Sequence, residues 1–140
     1  MNEEKDIDPL YREFLLEHYK ESKHKGVIKD PDIHKSDSNP LCGDEIEIFI
    51  KLGKDKKDKK KKNNTIKELS FQGRGCVISM ACASILTDEL QGKTIDEINK
   101  MDRDSMLDLL NIKLTPTRVK CAMLALNAIK KGIIEYESKK

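Results

Sequence analysis

Apolar residues recur along this chain with two periods, and the switches between them mark out its elements. Leu10, Tyr11, Phe14, Leu15, His18 and Tyr19 recur by threes and fours behind Asp8-Pro9, a pair suited to the N-cap and first position of a helix, so an amphipathic helix is predicted near the start. Residues 26–40, interrupted by prolines, a glycine and polar side chains, read as irregular chain or as a short edge strand. Ile46, Ile48, Ile50 and Leu52 then alternate with Glu45, Glu47, Phe49 and Lys51, the period of a strand with one buried face. Residues 65–71, with Ile66, Leu69 and Phe71 apolar, are expected to return antiparallel to it.

After Gly75 the period changes. Residues 76–86 are apolar on nearly every side and predict a central buried helix, with Gly92 available to end it. Thr94 and Glu97 have the spacing of a capping box and open a short helix with Ile95, Ile98 and Met101 inward. Met106, Leu107, Leu109 and Leu110 mark another short helix. Thr115-Pro116 opens a long one whose core face is Val119, Met123, Leu126, Ile129 and Ile133. The fold class that follows is α+β, a small antiparallel β-sheet packed against several α-helices.

A chain of 140 residues can bury a core without disulfide staples, and the expectation is a single domain over 1–140. Charged residues make up 37% and aromatic residues 4%, yet the apolar residues lie in periodic blocks that disordered chains lack. The first six residues are acidic on balance, no signal-peptide core follows, and no apolar run reaches about 18 residues, so a cytoplasmic protein without a membrane partner is expected. Four cysteines in such a setting point to metal or thiol chemistry and not to a disulfide framework. Residues 54–62 hold seven lysines and two aspartates, so this run carries +5 and the rest of a chain of net charge +2 carries −3. That distribution, with no aromatic residue in the run for stacking, argues against a nucleic-acid partner. Residues 54–64 read as a solvated hairpin loop, the alternative being an electrostatic dock for an acidic partner.

Candidate chemistry concentrates on three cysteines. Cys42 lies in the loop Asn39-Pro40-Leu41-Cys42-Gly43-Asp44, Cys76 follows Gly73-Arg74-Gly75 at a helix start, and Cys121 lies one turn into the helix behind Pro116. Each is expected to be exposed by a backbone turn, and Asp44 offers a fourth ligand. Three thiolates and a carboxylate can satisfy a tetrahedral metal, the thiolates favouring zinc, copper(I) or iron-sulfur chemistry and the carboxylate making one corner harder and more labile. At a helix start the unpaired N–H groups and the dipole favour the thiolate of Cys76. Gly73 and Gly75 are expected to let the chain turn sharply and a metal or another sulfur approach, with Arg74 adding positive charge nearby, and Gly43 to aim Cys42 and Asp44 at one ion. A lone cysteine is better read as a small buried apolar residue, and Cys82, set among alanines about 120° around the helix from Cys76, is read that way. His18, His24 and His34 show no paired spacing and are read as surface or packing residues. Neither a phosphate loop nor a Ser-His-Asp arrangement is present.

The strings Asn39-Pro40-Leu41-Cys42-Gly43-Asp44, Phe71-Gln72-Gly73-Arg74-Gly75-Cys76-Val77-Ile78-Ser79-Met80-Ala81-Cys82-Ala83-Ser84 and Pro116-Thr117-Arg118-Val119-Lys120-Cys121 together resemble the U-type iron-sulfur assembly proteins, the family of IscU, SufU and the N-terminal part of NifU. The resemblance runs from the first helix to the last and leaves only the lysine loop outside it. It implies a scaffold, not itself an enzyme, that accepts sulfur from a cysteine desulfurase, holds a transient 2Fe-2S cluster or a zinc ion on Cys42, Asp44, Cys76 and Cys121, and passes its cargo to apo iron-sulfur acceptor proteins. Cys42, on a loop, and Cys121, beside Arg118, are the candidate sulfur acceptors, with persulfide transfer open to them. The alternatives are a zinc-dependent sulfur acceptor of the SufU type and a structural zinc-binding interaction domain. The chain departs from the IscU branch in having Lys120 where that branch has histidine before its third cysteine. Arg118 is similar to the SufU branch, although the 45-residue step from Cys76 to Cys121 is short for the extra segment usual there.

Overall fold

The alternating run beginning at Asp44 forms the middle strand of a three-stranded antiparallel sheet. The computed structural model describes Glu13, Leu16, Glu17, Lys20 and residues 25–39, 43–53, 64–110, 114 and 116–139, the side chain of Thr117 excepted. The strands are β1 (Ile33–Asn39), β2 (Asp44–Gly53) and β3 (Thr65–Arg74), in the order β1-β2-β3. Ile46, Ile48, Ile50 and Leu52 are all buried on one face, as the period of two requires. Phe49, on the opposite face by the same alternation, is buried too, its ring stacked on His34 at 4.7 Å between centroids.

Within the segment expected to be irregular or an edge strand, Ile33–Asn39 forms an edge strand, pairing from Ile33 with Ile50 to Asn39 with Asp44, and residues 26–32 are irregular. The third strand runs three residues beyond the expected Phe71, because Gln72, Gly73 and Arg74 continue the ladder opposite Glu47, Ile46 and Glu45. On the polar face, Glu47 joins the three strands sideways. It meets His34 at 2.5 Å and accepts from Gln72 at 2.5 Å, and these hydrogen bonds, that of Gln72 first, hold its carboxyl below the ordinary range.

Four helices follow: α1 (Val77–Leu90), α2 (Ile95–Asn99), α3 (Arg103–Leu110) and α4 (Pro116–Ser138). The first is buried on nearly all sides between β3 and α4, as its unbroken apolar run demands. Gly92, at φ 82°, turns the chain out of it, and Thr94 caps α2 by accepting from the Glu97 amide at 3.1 Å. At 23 residues α4 spans about 35 Å and crosses β1 and β2, burying Val119, Leu126, Ile129 and Ile133. The crossing is tight at Gly132, where a Cβ would lie 2.7 Å from Ile33 Cγ2.

Glu13, Leu16, Glu17 and Lys20 are helical, while the apolar residues expected to line the first helix, with His18 and His24, lie outside the described residues, as do Cys42 and the lysine run 54–62. Among the described residues no helix is long and apolar enough to cross a membrane.

Candidate metal centre

Three chain segments meet at one end of the sheet. The first joins β1 to β2: the Gly43 amide donates to the Asn39 carbonyl at 2.9 Å, and Gly43 takes φ 71°, a left-handed conformation that glycine enters without steric penalty. This puts Asp44 at the head of β2. The second joins β3 to α1, where Cys76 is the N-cap in extended conformation and its sulfur accepts from the Ser79 amide at 3.3 Å. The third segment is the N-terminal part of α4, which carries Cys121. The ligand atoms of Asp44, Cys76 and Cys121 all lie within 4.8 Å of one another.

Asp44 is the organising group. Its side chain is 1% exposed, and the Cys76 amide donates to Oδ1 at 2.9 Å while the Ser79 hydroxyl donates to Oδ2 at 2.6 Å. The Cys76 thiol also reaches Oδ2, at 3.8 Å. A carboxylate this deep is stable only when hydrogen-bonded, and these donors satisfy both oxygens without closing the side that faces the sulfurs.

Several expectations need correction here. Cys121 is 1% exposed and Cys76 half-buried, so turns bring these thiols together without laying them open to solvent. Gly73 and Gly75 serve close approach and not a sharp turn. Gly73 lies within β3, and a Cβ there would meet the Glu45 carbonyl at 2.2 Å. A Cβ on Gly75 would meet Asp44 Oδ1 at 2.5 Å. Arg74 turns its guanidinium to the exposed Glu45 carboxylate at 3.1 Å, so its charge is spent on the outer face. Arg118 sits half-buried in the first turn of α4, three residues before Cys121. Cys82 is fully buried in the core, where burial first and then the neighbouring thiols of Cys76 and Cys121 push its thiol far up, leaving it protonated and inert. Ser79 is the residue that the sequence pattern passed over. Its signal was present, three residues after a candidate N-cap, but lay inside an otherwise apolar helix.

The sequence description of the NifU-like N terminal domain matches residues 10–140, nearly the whole chain. The chain belongs to the NifU-like N-terminal domain family. Among its relatives is the zinc-dependent sulfurtransferase SufU of Bacillus subtilis (strain 168), 34% identical, with 94% of this chain and 95% of the relative covered. That comparison extends over 149 positions against a chain of 140 residues, so the relative has residues for which this chain has no counterpart. Another is the iron-sulfur cluster assembly scaffold protein IscU 1 of Archaeoglobus fulgidus, 32% identical over 127 residues, covering 91% of this chain and 76% of the relative. The fold is similar to that of a nitrogen-fixing NifU-like protein (N-terminal) from Brucella abortus, at TM-score 0.72 and 19% identity over 99% of this chain and all of that one. The α+β architecture of a three-stranded antiparallel sheet and helices is thus that of the family.

Proposed function

We propose that this member of the NifU-like N-terminal domain family is an iron-sulfur cluster assembly scaffold. It accepts sulfur supplied by a cysteine desulfurase, holds a transient 2Fe-2S cluster as cargo on Cys42, Asp44, Cys76 and Cys121, and delivers it to apo-proteins. The observation that carries this reading is the convergence of a buried carboxylate and two thiols, from three elements, within 4.8 Å. Core packing alone does not require a carboxylate 1% exposed between two cysteines. Cys42 precedes Gly43 and Asp44 directly in the sequence, which makes it the candidate for the fourth ligand.

The donor set was tested against a single ion as well. Ligand atoms about 2.0–2.3 Å from a tetrahedral zinc stand about 3.3–3.8 Å apart. Cys76 Sγ and Asp44 Oδ2 stand at 3.8 Å, and the ligand atoms of Asp44, Cys76 and Cys121 all lie within 4.8 Å of one another. Asp44, Cys76, Cys121 and Cys42 would hold such an ion, which would act as a Lewis acid toward thiols. A zinc-dependent sulfur acceptor is therefore the second reading, favoured by the 34% identical SufU relative. The structural zinc domain is the weakest of the three, since closed structural sites use Cys and His ligands and this one has Asp44.

Sulfur entry is assigned to Cys42 ahead of Cys121, whose thiol is 1% exposed. The Cys42 thiolate attacks the outer sulfur of the donor's persulfide; a new S–S bond forms on Cys42, the donor's S–S bond breaks, and the donor cysteine leaves as thiolate. Protein purified without oxygen and incubated with ferrous iron, cysteine and a desulfurase, first without and then with a dithiol that supplies the electrons reducing persulfide sulfur to sulfide, tests the proposal. A scaffold gains iron and acid-labile sulfide in equal amounts with a visible cluster spectrum. A zinc-dependent acceptor keeps its zinc and gains only a persulfide by mass spectrometry, and that outcome overturns the scaffold reading.

A further inference from the structure

Ser79 is 1% exposed, and both of its polar groups point into the metal centre. Its amide donates to Cys76 Sγ at 3.3 Å, and its hydroxyl donates to Asp44 Oδ2 at 2.6 Å while standing 3.4 Å from Cys76 Sγ. A hydroxyl inside a helix ordinarily bonds back to a carbonyl of the preceding turn, and Thr87 of the same helix does so, donating to the Ser84 carbonyl at 2.9 Å. Ser79 instead sends its proton across to another element. The Cys76 amide holds Oδ1 at the same time, so the carboxylate is gripped at both oxygens from α1. A carboxylate so held cannot rotate freely, and each oxygen has given one lone pair to a donor.

We propose that Ser79 is a positioning residue for Asp44: it fixes the carboxylate so that one oxygen faces the thiols of Cys76 and Cys121, and it sets how strongly Asp44 holds a metal. This rests on the reading of Asp44, Cys76 and Cys121 as ligands. Hydrogen-bonded partners of ligating carboxylates orient them and tune their basicity, and losing such a partner typically weakens metal binding about 10–100-fold. The shortest contact of the Ser79 hydroxyl is to Asp44 Oδ2 at 2.6 Å, against 3.4 Å to Cys76 Sγ, so most of its contribution must be lost when Asp44 is gone.

The test is titration of cobalt(II) alone, without oxygen, into wild type, Ser79→Ala, Asp44→Ala and the double variant, followed by visible absorption. Ser79→Ala is expected to bind cobalt about 10–100-fold more weakly than wild type. Its thiolate-to-cobalt charge-transfer band is expected to stay intact and its ligand-field bands to shift toward those of Asp44→Ala. In the Asp44→Ala background the second substitution is expected to have a much smaller effect, what remains being the contact to Cys76 Sγ. Equal affinity of wild type and Ser79→Ala overturns the positioning role and leaves the ligand assignment standing. The same weakening in both backgrounds overturns it as well, showing that Ser79 supports the fold and not the carboxylate. Absence of thiolate charge transfer in wild type overturns both the role and the site.

Discussion

At Asp44, burial, hydrogen bonding and ligand chemistry fall on one side chain, and the residues around it are chosen to make room for it. Gly75 is the clearest case, since any side chain there would press on Asp44 from Oδ1 to Cβ, at 2.5 to 3.0 Å. Gly75→Ala should displace the carboxylate, costing about 1–3 kcal/mol of stability through overpacking and weakening metal binding about 10-fold or more. Zinc titration and denaturant unfolding of the variant measure the two effects, and unaltered zinc affinity would mean that Asp44 is not a ligand. Cys82→Ala should behave oppositely: about 1 kcal/mol is lost from the core while metal content is unchanged, because the thiol is sealed among core side chains. Much of this was legible in the sequence. Asp44, Cys76 and Cys121, which the structure brings together, stand out because glycine and proline turns flank them, while Cys42 lies outside the described residues. The burial of Asp44 and Cys121 was not legible, because a turn signal says how the chain bends and not which helix packs over the bend. Ser79 was missed for the complementary reason that an apolar run looks like core on every face.

Among the elements, β2 and α4 carry the geometry. Alternation from Ile46 to Leu52 specified β2 without ambiguity, since a one-residue slip would turn every isoleucine to solvent. The end of β3 was harder to read, because Gly73 weakens a strand pattern and yet is required there by the approach of the Glu45 carbonyl. The long helix was readable from its spacing, but its closeness to the sheet at Gly132 was not, as that depends on Ile33 and Lys35 almost a hundred residues earlier. Gly132→Ala sets two effects against each other. Helix propensity favours alanine by about 1 kcal/mol, while a Cβ 2.7 Å from Ile33 Cγ2 forces a shift costing about 1–3 kcal/mol. Because Ile33 is β-branched and buried, the steric effect should win and the variant should unfold at lower denaturant. A more stable variant would show that α4 stands further from β1.

At the scale of the whole molecule, the fold brings Asp44, Cys76 and Cys121 together at one end of a three-stranded sheet. The register pairs Gly53 with Thr65, so the ends of β2 and β3 already stand side by side. Replacing residues 54–62 by a short turn should therefore leave the fold and metal binding intact, since loop closure depends only weakly on length. If the lysines steer a partner, association of the intact chain should slow as salt rises while that of the shortened chain should not. Circular dichroism and stopped-flow association check the two halves, and loss of folding would show that the run is structural. The central claim is that a hard carboxylate among thiolates makes the cargo releasable. It is tested most directly by the rate at which a reconstituted cluster moves to an apo-ferredoxin from wild type and from Asp44→Ala. Slower transfer and longer retention of the cluster are expected from Asp44→Ala, the opposite of the weaker binding expected of a single ion that loses a ligand. Transfer at the wild-type rate, with the cluster equally well held, would contradict the claim.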